Sequence, residues 1–330
     1  MKRIYVERWT ITMVILVSLA LLGSGIGSAQ DASTLFDTGS GYLKEGKFDE
    51  AIAALSEAID LDPDYAEAYN NRGLALYEKK QYAQALKDFK QAITINPNDE
   101  KANNNIALVY YQQGDYSNAE NYYDIALSLS GEEKPYHVDV YNNLGVIYAA
   151  QGMDQKALDA YGKAIRITDS NDLGYTDAFY NRANLLYNQK RYDEAIADYT
   201  VAIDFFEKSS DVVLDFSDAY YNRGLCYYNK GQYDAAISDY ESTTQRKPDS
   251  VWAHYSTGLA YFMKKDYEQA ISAYRKVLDI DQDFADAYLG MALVYQSTGQ
   301  QEELLSSLKK SCSLGNAQAC DTLKKSMTTP

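Results

Sequence analysis

Five asparagines recur along a chain of 330 residues: Asn71, Asn105, Asn143, Asn181 and Asn222 follow one another at intervals of 34, 38, 38 and 41. A carboxamide carries a donor and an acceptor on one planar group. A row of them can therefore grip the backbone of an extended peptide, or bond neighbouring helices to one another. Asparagine is also a poor helix former, by roughly a few tenths of a kcal/mol relative to alanine, so repeated use on helices asks for a compensating contact. Six residues after four of these asparagines come Tyr77, Tyr111, Tyr187 and Tyr228, which add rings near the same surface. Signals for bond-making chemistry are sparse by comparison. The two histidines, His137 and His254, have no companions in the sequence and suit loop or core roles. No glycine-rich phosphate loop or nucleophile elbow is visible, and the carboxylates are scattered as on a solvated helical face. The expectation is a binding protein that needs no metal and no cofactor, and not an enzyme.

The elements that position these side chains form an array. Eight units of 34 residues align at 32–65, 66–99, 100–133, 138–171, 176–209, 217–250, 251–284 and 285–318. Position 8 of the units holds Gly39, Gly73, Ala107, Gly145, Ala183, Gly224, Gly258 and Ala292, where two helices can approach closely. Position 20 is alanine in every unit but the last, where Leu304 stands, and is read as the facing small residue on the second helix. Position 24 carries a large side chain, from Leu55 and Phe89 to Tyr274 and Leu308, read as filling the space between neighbouring units. Between the two helices come turn residues, as in Glu45-Gly46-Lys47 and Gln113-Gly114-Asp115. No unit can bury its apolar face alone, so the array must fold by stacking.

The fourth unit reads Tyr141-x2-Leu144-Gly145-x2-Tyr148 and then Ala157-x3-Tyr161, and the second adds Pro97 where its helix pair ends. This resembles the tetratricopeptide repeat, W-x2-L-G-x2-Y followed by A-x3-F and P, almost position for position. The resemblance runs from about Ala32 to Gly315 and implies an all-α, right-handed α-solenoid of about eight helix pairs, closed by a C-terminal capping helix in 316–330. In such arrays position 6 looks onto the concave surface. A similar asparagine ladder in a peptide-binding member of the family holds an extended peptide by its backbone, which implies the same for Asn71, Asn105, Asn143, Asn181 and Asn222. Asp37, Ser256 and Gly290 break the ladder at its ends. The other reading, that these amides only join helices and set the superhelix, stands beside it. Arg72, Arg182 and Arg223 at position 7 face the packing seam, where their aliphatic stems are expected to pack. Insertions at Lys134–His137, Asp172–Tyr175 and Ser210–Phe216 lengthen three junctions, and the apolar stretch Asp211–Phe216 is read as packed. The run from Cys312 to Cys320 looks like the spacing of cysteine-rich relatives of the repeat, where such a pair is bridged. The alternative is two buried free thiols. Cys226 has no neighbour in sequence and is expected to stay a buried free thiol.

Composition fits an exported scaffold. The first residues combine Lys2, Arg3 and Arg8 with the uncharged stretch Ile11–Leu22 and a small-residue exit at Gly27 and Ala29, the pattern of a secretory signal over 1–29. An uncleaved membrane anchor is the alternative, although the apolar stretch falls short of the ~20 residues a spanning helix needs. No later segment is apolar enough to span. Removing 1–29 moves the formal charge from −16 to −18, a field that repels nucleic acid and favours basic or neutral partners, or that only keeps a long array soluble. The 32 tyrosines, against 9 Phe and 2 Trp, suggest half-exposed rings that pack with one end and hydrogen-bond with the other. The reading is a solenoid over 30–315 that binds a protein or peptide in its groove, in the cell envelope or outside it. A regulatory or substrate-presenting subunit of an envelope enzyme complex is the alternative. Oligomeric state is not legible.

Overall fold

A computed structural model of the chain describes residues 31–131, 134–171, 176–208 and 216–328. The signal segment 1–29, the whole insertion at 172–175 and nearly all of the apolar insertion before Phe216 lie outside them. Seventeen helices and no strand occur among the described residues. They form two compact bodies, one ending at Gly131 and the other beginning beyond it. The first body contains α1 (Ala32–Lys44), α2 (Phe48–Leu61), α3 (Ala66–Glu78), α4 (Tyr82–Ile95), α5 (Glu100–Gln112) and α6 (Tyr116–Ser130). The second contains α7 (His137–Ala150), α8 (Asp154–Asn171), α9 (Asp177–Asn188), α10 (Tyr192–Lys208), α11 (Ser217–Asn229) and α12 (Tyr233–Arg246). It continues with α13 (Val251–Met263), α14 (Tyr267–Ile280), α15 (Ala285–Thr298), α16 (Gln301–Ser313) and α17 (Ala317–Thr328). Within each body every helix packs on the next in sequence, and alternate helices, the first of each pair, also touch.

Local chemistry explains where the helices start and stop. Asp31, Asp99, Asp115 and Asp266 cap α1, α5, α6 and α14 by accepting a backbone N–H three residues on, which satisfies a donor that the helix itself cannot. Pro63, Pro97 and Pro248 follow the ends of α2, α4 and α12, where a ring without an N–H cannot continue a helix. The turn between paired helices always places position 15 in the left-handed region. Gly46, Gly114, Gly152, Gly231 and Gly299 take it without strain, whereas Lys80, Lys190 and Lys265 adopt φ of 59°, 60° and 63°.

The seam between paired helices is built differently from its sequence reading. A Cβ placed on Gly73 would come within 2.5 Å of the Phe89 ring, and one on Gly145 within 2.4 Å of Tyr161. The partner of position 8 is thus the large side chain at position 24, not the alanine at position 20. Tyr274 lies against Gly258 of its own unit and Gly290 of the next, so the same ring also joins neighbours. Tyr123, Tyr199, Tyr240 and Tyr274 are fully buried, as a ring that fills the space between units must be, so the half-exposure suggested by the tyrosine-rich composition does not extend to position 24. Half-burial holds at position 12. There Tyr77, Tyr111, Tyr187 and Tyr228 pack on Tyr82, Tyr116, Tyr192 and Tyr233 across the turn at 5.5 to 5.9 Å. His137 belongs to α7 and not to a preceding loop. Its ring is buried beside Tyr136, and its Nδ1 accepts the Lys134 N–H at 3.1 Å.

At the C-terminal end α17 closes the stack. Ala319 and Leu323 pack with Leu304 and Leu308 of α16, and a disulfide joins Cys312 to Cys320 with Cα atoms 4.6 Å apart. Cys226 is a buried free thiol in α11, and burial pushes its pKa up to about 12, so it stays protonated and unreactive at neutral pH.

Two outcomes follow for stability. Lys190→Gly should raise it by up to about 1 kcal/mol and Gly152→Ala should lower it by about 1 kcal/mol, because only one of the two residue types reaches the left-handed region without strain; paired urea melts measure both. Reducing the disulfide should weaken the docking of α17 by roughly 2–3 kcal/mol. Hydrogen exchange before and after reduction reads this as lost protection confined to the last helix.

Candidate binding face on the first helices

Positions 5, 6 and 9 of each first helix lie toward the first helix of the next or preceding unit, which brings their polar side chains together. In the first body Asn105 Nδ2 donates to Asn70 Oδ1 at 2.8 Å and Asn71 Nδ2 to Ser40 Oγ at 2.9 Å. In the second, Asn181 Nδ2 donates to Asn142 Oδ1 at 2.9 Å, and Asn222 Nδ2 to Asn184 Oδ1 at 3.2 Å and Tyr180 Oη at 3.3 Å. Each of these amides reaches back to position 5 or 9 of the preceding unit. Asn143, half-buried on α7, occupies the same position 6. The structure therefore gives four ladder asparagines a helix-joining role through Nδ2. Asn105 is buried, so its amide serves the core. Asn181 and Asn222 are half-buried, and their Oδ1 atoms accept no hydrogen bond among the described residues.

Asn184 is a polar hub that the ladder pattern does not pick out. Its Oδ1 accepts from Tyr199 Oη at 2.6 Å as well as from Asn222. Burial raises the pKa of Tyr199, so its hydroxyl stays a donor throughout the neutral range. In the next unit position 9 is Leu225, and Tyr240 Oη there has no hydrogen-bond partner among the described residues. Beside this hub lies a recess of about 420 Å³ among α7, α8 and α9, lined by apolar Val146, Ala149 and Leu185 and by polar Asp154, Asn181, Asn184, Asn188 and Gln189. Asn181, Asn184 and Asn188 are spaced i, i+3, i+7 and so share one helix face. Asn188 is exposed and makes no hydrogen bond among the described residues. The position-12 rings border the same first helices. Burial raises the pKa of Tyr77, Tyr111, Tyr187 and Tyr228, and side-chain hydrogen bonds from Gln112 and Asn229 oppose that rise at Tyr77 and Tyr187.

A second polar device sits on the seam side. Arg72, Arg182 and Arg223 each hold a carboxylate 16 residues on with two nearly parallel hydrogen bonds: Asp88 at 2.7 and 2.9 Å, Asp198 at 2.6 and 2.7 Å, Asp239 at 2.8 and 2.7 Å. The arginine stems were expected to pack there; the guanidinium groups in fact latch the paired helices. A signal for this was present in the sequence. Position 23 is Asp only where position 7 is Arg, and the other units pair apolar or small polar residues, such as Leu144 with Ala160 and Ile106 with Tyr122. Burial pushes the Asp239 carboxyl up, and the hydrogen bonds and charge of Arg223 only partly oppose it. Such a carboxylate is tolerable because the bidentate partner is in place.

The latch yields a test. Asp239→Ala alone should cost about 3 kcal/mol by stranding a buried cation, and Arg223→Leu alone a similar amount. The double variant, which copies Leu144 and Ala160, should recover at least half of the summed loss in a double-mutant cycle by thermal denaturation.

Among the described residues no group of His, Cys, Asp and Glu side chains is arranged to hold a metal ion, and no helix is long and apolar enough to cross a membrane. Tetratricopeptide-repeat profiles match residues 39–80, 66–99, 99–170, 176–209, 217–250 and 258–299. A comparison with curated protein sequences returned no match. The fold is similar to the C-terminal part of a TPR repeat-containing protein from Cytophaga hutchinsonii, at 19% identity over 76% of this chain and 98% of that one, TM-score 0.61. Pseudomonas aeruginosa PilF is similar at 19% identity over 71% and 96%, TM-score 0.58. The Cut9–Hcn1 assembly is similar at 17% identity and TM-score 0.56 over 80% of this chain, which spans only 48% of the matched chain. Matched by these profiles over most of its length and built from consecutively packed helix pairs, the chain belongs to the tetratricopeptide-repeat family, an all-α solenoid class whose members generally serve as protein-interaction scaffolds.

Proposed function

We propose that the chain is a non-catalytic scaffold that binds an extended segment of a partner protein along the first helices of its second body, within or outside the cell envelope. The observation that carries this reading is the face of α9. There Asn181 Oδ1 and the whole Asn188 amide make no hydrogen bonds among the described residues, and they border the mixed polar and apolar recess of about 420 Å³. An extended peptide presents backbone donors and acceptors with side chains on alternate sides, so amides along one wall and the apolar side chains of Val146 and Ala149 on the other suit it. The helix-joining bonds support the same reading, because an amide anchored through Nδ2 holds its oxygen at a fixed angle and loses little entropy on binding. The two readings of the ladder thus combine in Asn181 and Asn222, whereas Asn105 is structural. Support for export comes from the basic, apolar and small-residue pattern of residues 1–29.

Photo-crosslinking in the native host, with the reactive side chain at Asn188, tests the site. A discrete adduct is expected there and none from Arg275 on the second helix α14. Alanine at both Asn181 and Asn188 should lower affinity for that partner at least tenfold and stability by no more than about 1.5 kcal/mol, the worth of the Asn181–Asn142 bond. Equal adducts from both positions, or unchanged affinity in the double variant, count against the groove.

A further inference from the structure

The first helices of the second body change chemistry along the row. Positions 2 and 13 pair Asp177 with Asn188 on α9 and Asp218 with Asn229 on α11, but Trp252 with Met263 on α13. Trp252 is 57% exposed and Met263 46%. Solvent exposure of a tryptophan is unfavourable, and here the ring is also held in place. The indole meets Phe284 edge-on at 5.2 Å and Tyr255 at 6.1 Å, and Tyr255 meets Phe284 at 5.4 Å. Two rings of the body therefore fix an indole whose remaining surface faces solvent, which is the construction of an interface anchor: rigid, aromatic and cheap to order.

The surroundings select what such an anchor takes. Position 2 of the next unit is Asp286, whose Oδ1 accepts from Asn316 Nδ2 at 2.7 Å and which meets no cationic side chain among the described residues. Its charge acts on Tyr255, which burial and Asp286 together push up to about 12. Asp218, in the preceding unit, is paired with Lys247 at 3.0 Å and so is less available. An exposed indole packed on Tyr255, which also feels the carboxylate of Asp286 on the next first helix, on a chain of formal charge −16, favours a cation over an anion or a purely apolar group.

We infer that α13 is the specificity end of the binding face: it takes a basic segment of the partner protein, with a Lys or Arg side chain laid over the exposed Trp252 indole and ion-paired to Asp286. This inference rests on the groove reading above, which supplies the neighbouring stretch of chain. It names what that reading leaves open, the chemistry of the partner.

Selection of random twelve-residue peptides displayed on phage against the purified chain, followed by fluorescence anisotropy on the synthetic winners, tests it. The selected peptides should carry a marked excess of Lys and Arg. Trp252→Ala should weaken them at least tenfold, Asp286→Asn about three- to tenfold, and Trp252→Phe much less than Trp252→Ala. Circular dichroism of each variant should match the parent, because most of Trp252 faces solvent and an asparagine at 286 keeps an oxygen to accept from Asn316. Selected peptides without basic bias, affinity unmoved by Trp252→Ala and Asp286→Asn, or no selection at all would overturn the proposal. The alanine pair at Asn181 and Asn188 separates the two claims. Loss there with no effect of Trp252→Ala keeps the groove and removes the basic anchor; the reverse keeps the anchor and removes the groove.

Discussion

A large side chain laid into the space left by a missing or single-carbon one holds each repeat together. Phe89 on Gly73, Tyr161 on Gly145 and Tyr274 on Gly258 place ring atoms where any added Cβ would come within about 2.4 to 2.5 Å. The contact brings paired helices close, and at Tyr274 the same ring continues onto Gly290 of the following unit. Removing such a ring would forfeit roughly 3–5 kcal/mol, against a few kcal/mol of stacking available to any one repeat. Everything else on the molecule is arranged around this seam. Because positions 8 and 24 face inward, the helix period turns positions 2, 6 and 13 of the first helices away from it, where polar and recognition chemistry can sit, while position 5 stays against the seam, with Tyr180, Tyr221 and Tyr255 packed on Tyr199, Tyr240 and Tyr274.

Two polar devices then refine what the apolar seam leaves loose. Apolar contacts are weakly directional, so close packing alone permits small slides between helices. The bidentate Arg–Asp latches at Arg72, Arg182 and Arg223 fix the register within three pairs. The amide bonds from position 6 back to position 5 or 9 do so between successive pairs. The latches are hydrogen-bonded through both carboxylate oxygens, which is the condition for buried polarity to be tolerated, whereas the amides are anchored through Nδ2 alone at Asn181 and Asn222. Their consequence is a face whose free polar groups are held still, a property useful to a protein that must recognise rather than transform its ligand.

The repeat pattern was legible because each unit solves the same packing problem and so reuses the same residue types. Small position 8, alanine at position 20, large position 24 and turn residues at 15 are visible in the chain without coordinates. Less visible were the identities of the contacts. Position 8 pairs with position 24 and not with position 20, since an α-helix directs side chains toward its N-terminus and offsets what they touch from where they stand in the sequence. The Arg–Asp latch was readable in principle, as a pair of residue types that appear together or not at all, 16 residues apart. Spacing of that size matches no local helical rule, so only the folded pair gives it meaning.

What the sequence alone determined is the class of fold, because periodic burial of small and large side chains admits one kind of solution, helix pairs stacked in order. It also determined that an amide row lies off the packing seam. Only the tertiary structure decided which amides remain open. Asn105 and Asn181 are indistinguishable in spacing, yet the first is buried against Asn70, and the second keeps a free oxygen beside a recess. Likewise the tyrosine-rich composition could not separate Tyr240, sealed in the seam, from Tyr228, half-buried at the turn. The reason is physical. Periodicity specifies a direction around a helix axis, whereas exposure and hydrogen bonding depend on what the adjoining helices bring to that direction, and those neighbours stand 16 to 42 residues away in the chain.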